Sequence, residues 1–302
     1  MRLERLGHVF SAQDGPDWMV SHAAYPTPVL LGDGRLRIFF NARDASNRGQ
    51  VGWLDVDPAD PTRVVAVSQQ PSLMPGALGS FDDRGISLGS ILSTKDGLRL
   101  YYLGWNKSAD VPFRNAIGMA LASDGIGTRF ERVFAGPILD RSRHDPFTLS
   151  YPFVEAPEQG GCWRMLYGTS RNGGIREEAM NHVITEAVSD DGIDWRPSGL
   201  DTIALQSGEY GLSRPWIFTR EGNRFAVVSI RNAAYSLGLV AWDPARAVWI
   251  RQHDQLLGPD FEAWEGGAPC YGATVDVGGR QLMFYCGTGY GQTGFGVAQI
   301  RD

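Results

Sequence analysis

Residues Arg37 to Arg43 read RIFFNAR, an apolar and aromatic run bounded by arginines. Four further stretches superimpose on it without gaps: Arg99 to Trp105 (RLYYLGW), Arg164 to Ser170 (RMLYGTS), Phe225 to Arg231 (FAVVSIR) and Leu282 to Thr288 (LMFYCGT). A recurrence of roughly 60 residues in a β-rich chain marks a ring of repeated sheets. Each run follows a shorter strand opened by Pro or Gly, and further strands come after it. In the second copy, Asn115 to Ala122 runs into the turn Ser123-Asp124-Gly125 and Phe130 to Phe134 returns; in the third, His182 to Val188 meets Asp190-Asp191-Gly192 and then Trp195. Asp-Gly supplies the backbone conformation that tight hairpins need. Four antiparallel strands per copy make a propeller blade, so the reading is an all-β, five-bladed β-propeller. The fifth copy ends early, at Thr293 to Ile300 (TGFGVAQI), while Arg2 to Ala12 stands unpaired at the other end. The N-terminal strand is therefore expected to complete the last blade and close the ring, which removes exposed sheet edges.

Composition agrees with a single domain over residues 1–302. Apolar residues make up 43% of the chain and charged residues 21%, ordinary for a packed globular protein, and 38 glycines suit many tight turns. No Pro-, Ser- or charge-rich linker divides it. A net charge of −6 with scattered basic residues argues against a nucleic-acid partner, which requires Lys and Arg concentrated on one surface. Cys162, Cys270 and Cys286 include no CxxC pair, and histidines are few, so no disulfide framework, metal site or cofactor is expected. The opening MRLERLGHVF lacks the apolar run of a secretory leader, and no stretch is long enough to cross a bilayer; a cytoplasmic location is the expectation. Oligomeric state is not encoded in any pattern of this chain.

Topology sorts the polar residues. In an up-and-down blade the first strand starts, and the second ends, on the same face of the disc. That face collects Tyr25 and Pro26, Arg43 and Asp44, Asp82, Asp83 and Arg84, Trp105 and Asn106, Ser150 and Tyr151, Arg171, Glu209, Arg214, Arg231, Glu262, Glu265, Tyr271 and Tyr290. The turns at Asp124 and Asp191 and the pair Asp55 and Asp57 fall on the other side. Such a mixture suits a carbohydrate: sugar C–H faces stack on aromatic rings, and sugar hydroxyls pair with Arg and carboxylates. Arginines also recognise a carboxylate, sulfate or phosphate on a sugar bidentately. Cleavage of a glycosidic bond requires two carboxyl groups flanking it, and Asp82, Asp83, Glu209, Glu262 and Glu265 are the supply.

At these residues the chain resembles the superfamily of arabinanases, levansucrases and invertases, glycoside hydrolase families 43, 32, 68 and 130. The resemblance is carried by Ala24-Tyr25-Pro26-Thr27-Pro28 before a Gly-Asp-Gly turn and by the strand ending Asn41-Ala42-Arg43-Asp44. The closing Gly287-Thr288-Gly289-Tyr290-Gly291 to Gly294-Phe295-Gly296-Val297-Ala298 is similar to a less characterised bacterial branch associated with surface polysaccharides, and to a propeller domain attached to some glycosyltransferases. The resemblance implies a five-bladed fold and glycosyl-bond chemistry. It does not bring the superfamily's acid triad with it. Where family 43 has Ala-Asp-Pro on the first blade, Tyr25 precedes Pro26 here; Ser87 or Leu88 takes the place of the second Asp, and Ser150-Tyr151-Pro152 opens the third blade.

A reaction here must use other carboxylates, with Asp83 and Glu265 as the catalytic pair and Asp44 and Glu209 in support. The expected substrate contacts are Tyr25, Arg43, Asp82, Arg84, Trp105, Tyr151, Arg171, Arg214, Arg231, Glu262, Tyr271 and Tyr290. Structural readings stand beside these: Asp82 and Asp83 as loop caps, Arg43 and Arg231 as inter-blade bridges with Asp44 as one partner, and the aromatics as packing. Three functions follow. The first is a glycoside hydrolase, or a related phosphorylase or transglycosidase, acting on a bacterial poly- or oligosaccharide. The second is a glycosyltransferase-like enzyme, disfavoured because its Asp55-Val56-Asp57 run maps to the wrong face. The third is a glycan-binding propeller without catalysis. Fold alone does not choose among them.

Overall fold

The computed structural model describes residues 1–158, 160–174 and 180–301. Its strands are β1 (Arg2–Phe10), β2 (Ser21–Leu30), β3 (Leu36–Arg43), β4 (Gly49–Val56), β5 (Val64–Val67), β6 (Gly85–Thr94), β7 (Gly97–Asn106), β8 (Arg114–Ala122), β9 (Glu131–Arg132) and β10 (Leu149–Glu155). They continue with β11 (Trp163–Ser170), β12 (His182–Ser189), β13 (Arg196–Ile203), β14 (Gly211–Arg220), β15 (Asn223–Arg231), β16 (Tyr235–Asp243), β17 (Val248–His253), β18 (Cys270–Val277), β19 (Arg280–Cys286) and β20 (Phe295–Arg301).

Neighbours in sequence pair antiparallel in meanders: β2 to β5, β6 to β9, β10 to β13 and β14 to β17. The last meander, β18 to β20, takes β1 as its outer strand, with Leu3 opposite Ile300 and Phe10 opposite Phe295. Single parallel bridges, Gly49 to Gly85 and His182 to Gly211, link meanders, and no sheet closes on itself. The innermost strands nevertheless touch in succession: β2 meets β6, β6 meets β10, β10 meets β14, β14 meets β18, and β18 meets β2.

The second strand of each meander is apolar along its length because it is covered on both faces. Leu36, Ile38, Phe39 and Phe40 of β3 are fully buried, and burial of such a side chain contributes roughly 2 kcal/mol. Phe40 packs with Phe10 and Phe295, which joins the first meander to the last. Phe39 packs on Leu88, Leu100 and Tyr102 of the next meander. Outer strands alternate instead; β13 leaves Arg196, Ser198 and Leu200 exposed. The hairpin after β12 turns at Gly192 with φ +77°, and Asp191 accepts from the backbone N–H of Ile193 and Asp194. This is the Asp-Gly turn chemistry read from the sequence.

Candidate functional site

Every innermost strand breaks register at an equivalent step: between Ala24 and Thr27, Leu88 and Ser90, Ser150 and Phe153, Ser213 and Trp216, and Cys270 and Ala273. Such bulges re-aim a side chain out of the pleat. Pro26, Pro152 and Pro215 occupy three of them, where a residue lacking an N–H costs the ladder little. The second meander uses Gly89, since a Cβ there would lie 2.3 Å from Pro152 O. In four of the five bulges a non-glycine residue adopts left-handed backbone, with φ of 55° at Tyr25, 32° at Tyr151, 46° at Arg214 and 59° at Tyr271. Non-glycine residues are held in that conformation only where the surroundings over-determine it.

The re-aimed side chains converge. Tyr25 lies 4.6 Å from Tyr271 and 5.1 Å from Tyr151, ring centre to ring centre, and Tyr151 is 5.4 Å from Tyr271. The Tyr151 hydroxyl donates to that of Tyr25 at 2.9 Å. Tyr235 packs on Tyr271, and Tyr290 edges onto Tyr235. Burial pushes the hydroxyls of Tyr25, Tyr151, Tyr235 and Tyr271 up from their ordinary range, so this floor is neutral at physiological pH. Beside it the buried Arg214 donates to the carbonyls of Tyr25, Pro26 and Tyr271 and to Thr27 Oγ1. Burial brings its guanidinium down to about 10, still charged at neutral pH.

Above the floor opens a cavity of about 260 Å³. Its wall includes Trp105, Lys107, Phe113 and Asn115 from the second meander, His182 from the third, Arg231 and Tyr235 from the fourth, and His22, Asn41 and Arg43 from the first. Among the described residues no Asp or Glu lines it. His182 Nδ1 must donate to the Met180 carbonyl, 2.8 Å away, which leaves Nε2 with the lone pair. Burial, then the charge of Arg231, holds His182 down to about 4; burial and Arg43 do the same to His22. Both rings are neutral at pH 7. Ser150, Ser213 and Asn115 also belong to the lining, but their side-chain oxygens are buried from solvent and have no hydrogen-bond partner among the described residues.

Of the expected substrate contacts, Tyr25, Arg43, Trp105, Tyr151, Arg231, Tyr271 and Tyr290 line this cavity. Arg214 lies under it. Arg84 stands outside the lining, its backbone N–H donating to Trp105 O. Arg171 pairs instead with Asp201 and the His144 carbonyl, and Glu262 accepts from the Trp264 indole. The structure places the carboxylates expected to catalyse elsewhere too. Asp44 accepts from the backbone N–H of Ser46 and Arg48 and pairs with the Arg48 side chain. Asp83 Oδ2 caps its own loop at Gly79 N–H.

Glu209 and Glu265 share one architecture with Asp82. Glu265 is fully buried, takes Arg5 of β1 through both oxygens at 2.9 and 3.0 Å, and accepts from Tyr285 of β19 at 2.7 Å. Asp82 accepts from Tyr102 of β7 and Arg132 of β9. Glu209 takes Arg251 of β17 at 3.0 and 3.1 Å, and Asp145 accepts from Tyr167 of β11 at 2.8 Å. In each case an acid just before an innermost strand ties that segment to its own meander, Asp82 and Glu265 through two strands and Asp145 and Glu209 through one. Asp55, on the other side, is gripped by the buried Arg37 at 2.7 and 2.8 Å. His182, Tyr235 and Asn115 were not among the expected contacts, although third strands start on the rim where second strands end, and the same topology points to them.

Innermost strands that bulge together onto an aromatic floor, beneath a cavity at one end, define a class of all-β repeat protein. Known structures bear this out. A solved glycoside hydrolase superimposes with a TM-score of 0.75 at 14% identity, covering 98% of this chain and 90% of its own. A thermostable family-43 glycoside hydrolase matches at 0.64 and 14% identity over 92% and 88% of the two chains. A variant of the Bombyx mori GH32 beta-fructofuranosidase BmSUC1 in complex with sucrose matches at 0.63 and 13% over 93% of this chain and 61% of its own. The fold is thus the one these hydrolases share. No family model matches the sequence. The chain belongs to the family of the uncharacterized protein Rv1502 of Mycobacterium tuberculosis (strain ATCC 25618 / H37Rv), with 34% identity across 100% of both chains; MT1551 of strain CDC 1551 / Oshkosh matches to the same extent.

Proposed function

We propose that the meanders are the blades of one five-bladed propeller spanning residues 1–302, closed by β1 as the outer strand of the last blade. The cyclic contacts of the innermost strands and the packing of Phe295 against Phe40 support it. We further propose that the cavity is a saccharide site and that the protein acts on a poly- or oligosaccharide as a glycoside hydrolase or related glycosyl-transferring enzyme. The observation that carries this reading is the lining itself. Rings from Tyr25, Trp105, Tyr151 and Tyr271 line it for contact with sugar C–H groups, and His22, Arg43, Lys107 and His182 line it with groups that hydrogen-bond sugar hydroxyls. Likeness to a sucrose-bound hydrolase fold supports the ligand class.

A second reading, glycan recognition without turnover, is favoured by one specific observation: among the described residues no carboxylate lines the cavity, whereas hydrolysis requires a pair. One experiment separates the two. Wild-type protein is incubated with a library of bacterial and plant oligosaccharides, with calorimetry recording binding and reducing-end release recording cleavage. Binding with release supports the enzyme, binding alone supports the recognition module, and Tyr151→Ala abolishes binding in both cases. A library in which nothing binds removes the saccharide reading.

A further inference from the structure

Resting on the saccharide reading above, we propose that the sugar this cavity takes carries an anionic group, a carboxylate, sulfate or phosphate, held at the Arg43 side of the mouth. The pairing of charges points to it. Away from the cavity, arginines in and beside the core meet carboxylates: the fully buried Arg37 meets Asp55, and the partly buried Arg132, Arg251 and Arg5 meet Asp82, Glu209 and Glu265. Two arginines at the cavity, Arg214 and Arg43, make no such pair among the described residues. Arg214, 1% exposed, bonds only uncharged oxygens contributed by β2 and β18. Arg43 donates to the neutral Asn47 side chain, because the carboxylate next to it in sequence, Asp44, is taken by Arg48. Lys107, contributed to the wall by the second meander, forms no ion pair among the described residues, and none of the described lining is acidic.

Positive charge on the wall of a concave site floored by neutral tyrosines is focused into the cavity. The neighbouring rings respond to the same field: the charge of Arg43 adds to burial in keeping His22 unprotonated. A planar guanidinium then presents paired N–H donors that match the oxygens of a carboxylate, sulfate or phosphate. The neutral His22 and His182 rings of the same lining remain for the sugar hydroxyls, so the anion and the ring have separate partners.

The test is a titration of the full chain with matched gluco-, galacto- and manno-glycosides, each in neutral, uronate, 6-sulfate and 6-phosphate form, alongside inorganic sulfate and phosphate. One charged series is expected to bind about tenfold or more tighter than its neutral parent, an advantage that shrinks as salt is raised. Arg43→Gln is expected to erase the advantage of the charged series over its neutral parent, while Arg43→Lys restores part of it. Neutral and charged forms binding equally would overturn this inference and leave the saccharide site standing. Inorganic anions binding with no gain from any attached sugar would overturn the saccharide reading on which it rests. No binding by any member would overturn both.

Discussion

Arg214 joins the first and last meanders through carbonyl oxygens that have few other donors within the fold. Its replacement by Met removes the charge but strands those carbonyls, and hydrogen bonds to charged groups contribute roughly 1.5–3 kcal/mol each. Arg214→Met is expected to lower stability by about 2–4 kcal/mol in urea unfolding; an unchanged midpoint would show that the carbonyls find other donors. His182 gives a second test. Its ring stays neutral down to about pH 4 in the folded chain, against an ordinary value of 6.5. Between those values the unfolded chain binds the extra proton and the folded chain does not, so the stabilisation is complete above pH 6.5 and is lost as pH falls toward 4. The loss is on the order of 3 kcal/mol for this group. Thermal midpoints at pH 7 and pH 4.5 should diverge less in His182→Gln than in the wild type; equal divergence would exclude this ring as the titrating group. The aromatic and cationic side chains of the site were readable because each ends or starts a strand. Arg43 and Arg231 close second strands and Trp105 stands one residue before such an end, and topology alone puts these ends on one rim.

The acidic latches teach the opposite lesson. Asp82, Asp145, Glu209 and Glu265 sit at nearly equal intervals along the chain, each just before an innermost strand. Residues that recur with the repeat serve the repeat, whereas residues that carry chemistry are expected to break it. Asp82, Glu209 and Glu265 invited a catalytic reading because each was weighed alone, without the period that had already fixed the strands. The latch leads to a prediction opposite to that for a catalytic acid. Glu265→Gln leaves Arg5 facing an uncharged partner in a buried site and is expected to destabilise the protein by about 3–5 kcal/mol, with glycan binding retained wherever the chain is folded. Calorimetric binding at low temperature, set beside denaturant unfolding, checks it. Loss of binding with full stability would instead restore a role for Glu265 at the ligand. Strand ends show the usual limit of pattern reading: the run LMFYCGT stops at Cys286 in the structure, because Gly287 leaves the ladder for a turn.

In the proposed ring, β1 covers the edge of β20 and Arg5 reaches from it to the latch of the last blade. Deleting residues 1–10 exposes that edge and unpairs a buried carboxylate in one step. The truncated chain is expected to melt well below the full chain and to self-associate on sedimentation, since an unpaired edge templates further strands. A monomer of unchanged melting temperature would mean that closure through β1 contributes little.

Local periodicity was enough to specify the strands, their antiparallel order and the rim on which Tyr25, Arg43, Tyr151 and Tyr271 lie, because alternation, turn residues and repeat length act over a few neighbours along the chain. The assignment of charges was not local. Whether Asp44 or Asn47 faces Arg43, whether Glu265 meets a ligand or Arg5, and whether Arg214 has a counterion depend on segments up to 260 residues apart. Electrostatic pairing is decided by distance in space and by burial, and only the packed molecule brings those partners together.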